Sequence, residues 1–161
     1  MDFFYPNWIN DMWRIFGIVF YNDRGYFEKE GEKCFDKEKI VEFCTAKGIA
    51  LYDTACEVRR LKENASDKFL EVVTPTDIHA LLSALPHCSA IVTTGQKATD
   101  VIIGTFGCHE PQVGSSTDII IDDKKIHFWR MPSSSRAYPL PIAKKAIHYK
   151  EMLRIEIGGI R

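Results

Sequence analysis

The sequence has no Cys-x-x-Cys pair, and its five cysteines, Cys34, Cys44, Cys56, Cys88 and Cys108, are odd in number and widely spread. That spacing signals neither a disulfide framework nor a zinc or iron–sulfur site, so the thiols are expected to be reduced and mostly buried, with no metal or other cofactor. No apolar run approaches the roughly 20 residues that a spanning helix needs. The opening Met1-Asp-Phe-Phe-Tyr-Pro6 lacks a basic stretch followed by an apolar one, the pattern of a secretory signal. These absences predict no membrane partner and a cytoplasmic protein. A basic excess is missing too: the net charge of -1 argues against a protein that coats nucleic acid non-specifically. Internal repeats and low-complexity linkers are also absent.

What is present suffices for one core. A chain of 161 residues buries about two thirds of the surface it exposes when unfolded. Its 45% hydrophobic and 27% charged content is that of a soluble globular protein. A single, monomeric domain spanning residues 1–161 is expected.

Trp8, Met12, Ile15, Phe16 and Val19 recur at helical spacing over residues 7–21, with Asn7 and Asn10 placed to cap the start. A second helix, residues 36–47, turns Ile40, Val41 and Cys44 to one face and ends at Gly48. Ile49-Ala-Leu-Tyr-Asp53 reads as a short buried strand with Asp53 at its carboxyl end. Thr74 and Pro75 predict a capped helix start leading into residues 78–85. Residues 89–94 predict another strand, and Gly95-Gln-Lys97 the turn into a helix that runs to about Phe106. Residues 117–121 and 125–131 flank Asp122-Asp-Lys124 as an antiparallel hairpin, and a closing helix spans 142–156. Alternating strands and helices predict a three-layer α/β/α domain with a mainly parallel central sheet.

The hairpin's second strand empties into Met131-Pro-Ser-Ser-Ser-Arg-Ala-Tyr138. Pro132 restricts the loop, Ser133, Ser134 and Ser135 offer donors and acceptors, and Arg136 supplies a fork suited to phosphate oxygens. Asp53, the turn at Gly95 and this loop are all expected outside the carboxyl ends of strands, where ligands dock in open α/β sheets. Arg59-Arg60, Arg136 and Lys144-Lys145 are the candidate basic clusters, unless they are ordinary solvated charges. Gly95-Gln-Lys97 lacks the full spacing of a nucleotide-binding phosphate loop, which disfavours a generic nucleotide enzyme.

Four blocks in order, Phe3-Phe-Tyr-Pro-Asn-Trp-Ile-Asn-Asp-Met-Trp13, Gly48-Ile-Ala-Leu-Tyr-Asp-Thr-Ala55, Thr93-Thr-Gly-Gln-Lys97 and Met131-Pro-Ser-Ser-Ser-Arg136, resemble the uracil-DNA glycosylase superfamily. The likeness is to its mismatch-type and hypoxanthine/uracil branches and covers nearly the whole chain. It implies a glycosylase-like fold and hydrolysis of the N-glycosidic bond of uracil or another deaminated base in damaged or mismatched DNA, as in base excision repair. The family opens with a strand ending in a Gly-x-x-Pro-type loop, and the sequence lacks that block. The resemblance therefore implies a missing first strand and first motif, from a start-site truncation or a lineage that shed them, and leaves a catalytically inactive DNA- or nucleotide-binding module as the alternative.

The resemblance also implies roles for residues. Asn10, with Asn7 second, matches the catalytic amide that orients water, and Asp11 is a candidate general base. Asp53 matches the base-reading position at a strand end, where a carboxylate accepts hydrogen bonds without donating them. Phe4 and Tyr5, with Phe3 before them, are candidate stacking faces for an extruded base. Pro132, Ser133, Ser134, Ser135 and Arg136 match the motif that contacts phosphates near the target.

Overall fold

The computed structural model describes residues 3–53, 55–60 and 70–160, the segments 55–60 and 70–75 as backbone. In chain order these form α1 (Met12–Tyr21), α2 (Lys37–Lys47), β1 (Ala55–Arg60), β2 (Leu70–Pro75), α3 (Ile78–Ser83), β3 (Ala90–Thr94), α4 (Gln96–Phe106), β4 (Ser115–Ile121), β5 (Lys124–Met131) and α5 (Ile142–Glu156). The class is mixed α/β. Two compact units emerge, Met1–Tyr52 with Ser134–Arg161, and Asp53–Ser133.

In the first unit, α1 buries Met12, Trp13, Arg14, Ile15, Phe16, Gly17 and Val19, as a helix does when apolar residues surround it rather than line one stripe. It starts at Met12, five residues later than the spacing predicts. The cause lies in Asn7, whose carbonyl accepts the Asn10 N–H at 2.9 Å and whose side chain accepts the Ile9 N–H at 3.1 Å. Short amide side chains compete with helical bonding in this way. Helix α2 is capped by the Asp36 carboxylate, which accepts the Lys39 N–H at 3.3 Å, and closes at Gly48 with φ 71°. Its buried residues are Ile40 and Phe43, while Val41 is 50% exposed. The expected face of Ile40, Val41 and Cys44 is thus rotated, because Phe43 joins a ring cluster, 4.9 Å from Phe20 and 5.1 Å from Phe27. Helix α5 has the expected bounds and packs on α1, with Tyr149 edge-on to Phe16 at 6.4 Å.

Residues 49–53 carry no strand, which corrects the expectation for that run. Ile49 and Leu51 instead line an apolar cavity of about 290 Å³ with Phe3, Phe4, Trp13 and Ile40, and Ala50 and Tyr52 are exposed. The alternation of a strand is present, but no described strand takes up its backbone bonds.

The second unit holds a three-stranded sheet in the order β3-β5-β4. Strand β5 runs parallel to β3, from Ala90 opposite His127 to Thr94 opposite Met131, and antiparallel to β4. The sheet is therefore mixed. Ile126, Phe128, Trp129 and Met131 are all buried, so β5 is covered on both faces, as suits a central strand. The β4–β5 hairpin turns at Asp122 and Asp123, with φ 52° and 63°, the left-handed pair whose twist matches the strands. Ile78, Ile102, Ile119 and Phe128 form the core, with Leu82, Ile91 and Phe106 around it. Helix α3 is capped by Asp77, whose carboxylate accepts the Ala80 N–H at 3.0 Å. Thr74 is not the cap: it and Pro75 belong to β2, which pairs antiparallel with β1, consistent with the extended bias of a residue before proline. Helix α4 starts as expected after Gly95, at φ 95°. There the Thr99 hydroxyl meets both the Gly95 carbonyl at 2.9 Å and the Thr93 hydroxyl at 2.8 Å.

Candidate functional site

Two segments that lie far apart in sequence meet in the first unit. Asn10 and Ser135 form an antiparallel bridge, and the Asp11 N–H donates to the Ser134 carbonyl at 2.9 Å. The serine loop also folds on itself: the Ser135 hydroxyl accepts the Ala137 N–H at 3.2 Å, and the Ser135 carbonyl accepts the Tyr138 N–H at 3.0 Å. Hydroxyl-to-backbone bonds of this type hold a tight turn in one shape. From beneath, the Lys145 ammonium donates to the same Ser135 carbonyl at 2.8 Å.

The charges are set just as closely. Asp11 Oδ1 accepts from Arg14 Nη1 at 2.9 Å and from Arg136 Nε at 3.3 Å. Arg14 also donates to the Trp8 carbonyl at 2.8 Å, the Asn10 carbonyl at 3.2 Å and Glu28 Oε1 at 2.8 Å. Its guanidinium carbon lies 4.4 Å from the Trp8 ring centre and 5.0 Å from that of Phe35. Asp11, Arg14, Ser134 and Lys145 are buried, whereas the Arg136 side chain is 45% exposed. Burial lowers the pKa of the Lys145 ammonium from its ordinary value, and the negative charge of Asp11 works the other way. Buried ions need such complete pairing, because an unpartnered one costs several kcal/mol, on the order of 3–5.

Asn10, Asp11, Ser134, Ser135 and Arg136 are thus one constellation. Asn7 is exposed and committed to its turn, so of the two amides Asn10 is the one against the loop. The Asn10 side-chain oxygen accepts the Met12 N–H at 3.0 Å, which leaves its second lone pair and its amide donors for other work. Phe4 and Tyr5 lie in the same unit. The Phe4 carbonyl accepts the Trp13 indole N–H at 3.1 Å and its ring is 6.2 Å from that of Tyr52. Tyr5 stands edge-on to Trp13 at 6.4 Å, on a left-handed backbone with φ 54°. Both rings are half-buried. Asp53, Pro132 and Ser133 belong to the second unit, where Asp53 is exposed with its carbonyl accepting the Thr76 hydroxyl at 2.6 Å, Pro132 is buried and Ser133 half-buried.

No family model, curated protein or solved structure matches the chain. The site therefore stands on its own geometry. A neutral amide, a hydroxyl turn and a partly exposed guanidinium make an arrangement that can hold an anion and orient a water molecule beside it.

Two of its members carry no signal in the sequence, Arg14 within an apolar helix and Glu28 in a polar turn, while Lys145 belongs to the candidate basic pair Lys144-Lys145. The structure divides that pair, with Lys144 exposed and Lys145 1% exposed. Among the described residues no group of three His, Cys, Asp or Glu could hold a metal ion, and no helix is long and apolar enough to cross a membrane. Cys34, Cys44, Cys88 and Cys108 are free thiols, half-buried rather than buried as expected. The side chains of Cys56, Arg59 and Arg60 lie outside the described residues.

Proposed function

We propose that the chain is a DNA glycosylase that hydrolyses the N-glycosidic bond of uracil or another deaminated base. The observation that carries this reading is the bridge between Asn10 and Ser135, which joins a neutral amide to a hydroxyl loop ending in Arg136. Ser135 and Arg136 grip the sugar-phosphate chain, with the buried Ser134 anchoring their loop to Asp11, and such contacts fix register without reading sequence. Asn10 orients water toward the anomeric carbon. The bond to the base breaks as the water oxygen bonds to that carbon, the electron pair leaves with the base as an anion, and the water's proton passes to solvent. A neutral amide suffices because the sugar is already cation-like when water attacks, so orientation and local dipoles supply the acceleration.

Extruding the base costs its stacking, which aromatic faces such as Phe4 and Tyr5 offset by about 1–3 kcal/mol per base. With this reading travel a three-layer α/β/α fold with a mainly parallel sheet, a damaged-DNA partner, and a cytoplasmic monomer.

The test is a gel assay on uracil- and hypoxanthine-containing duplexes, with alkali to cut abasic strands. Cleavage of one of them is expected, with Asn10→Ala lowering the rate by about 100-fold and Asn7→Ala by less than about 3-fold. Absence of abasic product from both duplexes rejects the reading. One observation favours a silent DNA-binding module instead: the Asn10 oxygen is engaged by Met12 and the Asp11 carboxylate by two guanidiniums. Salt-sensitive binding without abasic product selects that module.

A further inference from the structure

Asp11 is the carboxylate nearest Asn10 in sequence, and chemistry alone would make it the base that takes a proton from water. Its surroundings assign it otherwise. A general base needs a lone pair within reach of the water it deprotonates. The Asp11 side chain is 8% exposed: its Oδ1 is taken by Arg14 Nη1 at 2.9 Å and Arg136 Nε at 3.3 Å, and water could meet the carboxylate only through Oδ2. Arg14 is held on every side, by the Trp8 and Asn10 carbonyls, by Glu28, and by the Trp8 and Phe35 rings. The Asp11 carboxylate therefore sits on a fixed cation and passes that order outward to Arg136.

Arg136 is engaged through Nε, and among the described residues its two terminal nitrogens have no protein partner. They form the flat fork that matches a phosphate. Lys145 fixes the same loop from below through the Ser135 carbonyl. Across the cluster three cations, Arg14, Arg136 and Lys145, face two carboxylates, Asp11 and Glu28. Arg136 is the exposed one of the three, so the surplus positive charge is presented to an incoming anion.

We propose that Asp11 is a positioning residue: resting on Arg14, with Lys145 under the loop, its carboxylate aims the Arg136 fork at a DNA backbone phosphate and takes no proton from water. The phosphate as ligand rests on the function proposed above; the aiming of Arg136 does not.

The experiment compares the full chain with Asp11→Asn, Asp11→Ala and Arg136→Lys. Its readouts are the Arg136 Nε–H resonance by NMR, anisotropy with a fluorescein-labelled duplex bearing one uracil, and the pH profile of base release. Asp11→Asn keeps an oxygen for both guanidiniums but removes the charge, so the resonance persists, binding weakens by less than in Asp11→Ala and the pH profile is unmoved. Asp11→Ala loses the resonance to solvent exchange and weakens binding by about 10-fold. Arg136→Lys also loses about 10-fold although the charge is kept, since a point charge cannot be aimed as a fork. That variant keeps the proposal open to test if Asp11→Ala does not fold.

A loss of about 100-fold or more in turnover for Asp11→Asn, with a flattened acid limb and unchanged binding, makes Asp11 the base and overturns the proposal. An unchanged Arg136 resonance in folded Asp11→Ala, or full binding by Arg136→Lys, overturns it too. Failure of the glycosylase reading looks different, since wild type then releases no base while the NMR comparison still decides what holds Arg136.

Discussion

At the level of single residues, the sharpest chemical consequence of packing falls on Cys44. It lines the apolar cavity with Phe3, Phe4, Trp13 and Leu51, and burial pushes its thiol from the ordinary 9.0 up to about 11. Only the thiolate is nucleophilic, so at pH 8 Cys44 holds about 100-fold less reactive species than an ordinary thiol. Iodoacetamide is expected to label Cys44 about 100-fold more slowly than a small free thiol, followed in the native protein by peptide mass spectrometry. The rate should climb about tenfold per pH unit until the pH approaches 11. The linkage has a definite sign. A folded pKa above the unfolded one means that the stability gained by burying the neutral thiol is complete below pH 9.0 and is lost as pH rises through about 11. Labelling at pH 8 as fast as the free thiol would mean that water fills the cavity around Cys44.

Within elements, Gly17 opposes propensity and packing. It lies in the middle of α1, where alanine would ordinarily gain about 1 kcal/mol. A Cβ there would fall inside contact distance of the Asp23 backbone oxygen, in the turn whose Asp23 N–H donates to the Gly17 carbonyl at 3.1 Å. Backbone yields less readily than a side chain, so Gly17→Ala is expected to destabilise by about 1–3 kcal/mol, seen as a lower urea midpoint with an unchanged slope. A raised midpoint would show that the turn moves freely. The same contrast explains which elements could be read from the sequence. Helix α5, the Gly48 and Gly95 boundaries and the hairpin at Asp122 and Asp123 follow from signals within a few residues, and all appear as expected. Residues 49–53 have the alternation of a strand, but strand formation depends on a partner that local sequence does not specify. Asn7 and Asn10 suit a cap and a turn equally well, and the turn that Asn7 closes, with the serine loop bridged to Asn10, sets where α1 begins. In the site, residue type drew attention to Arg136 and to the Lys144-Lys145 pair and the resemblance to Asn10, whereas the roles of Arg14 and Lys145 come from burial beneath distant segments, which has no periodic signature.

For the whole molecule the governing quantity is charge. With a net charge of -1 and a pI near 6.5, there is no general attraction to a polyanion, and under the proposed function binding to DNA comes from a few placed cations. Each neutralised phosphate adds about -0.9 to the slope of log K against log salt on duplex DNA. A protein gripping through one loop is therefore expected to show a shallow slope, and Arg136→Ala should reduce its magnitude by about 1. Because phosphate contacts carry no sequence information, that substitution should weaken uracil-bearing and undamaged duplexes by the same factor and leave their ratio intact. Anisotropy titrations of both duplexes over a range of potassium chloride concentrations measure slope and ratio together. A slope unchanged by Arg136→Ala would move the phosphate grip to other cations, Lys144 the first to test because it is exposed beside the loop's support. A changed ratio would instead mean that Arg136 touches the base itself.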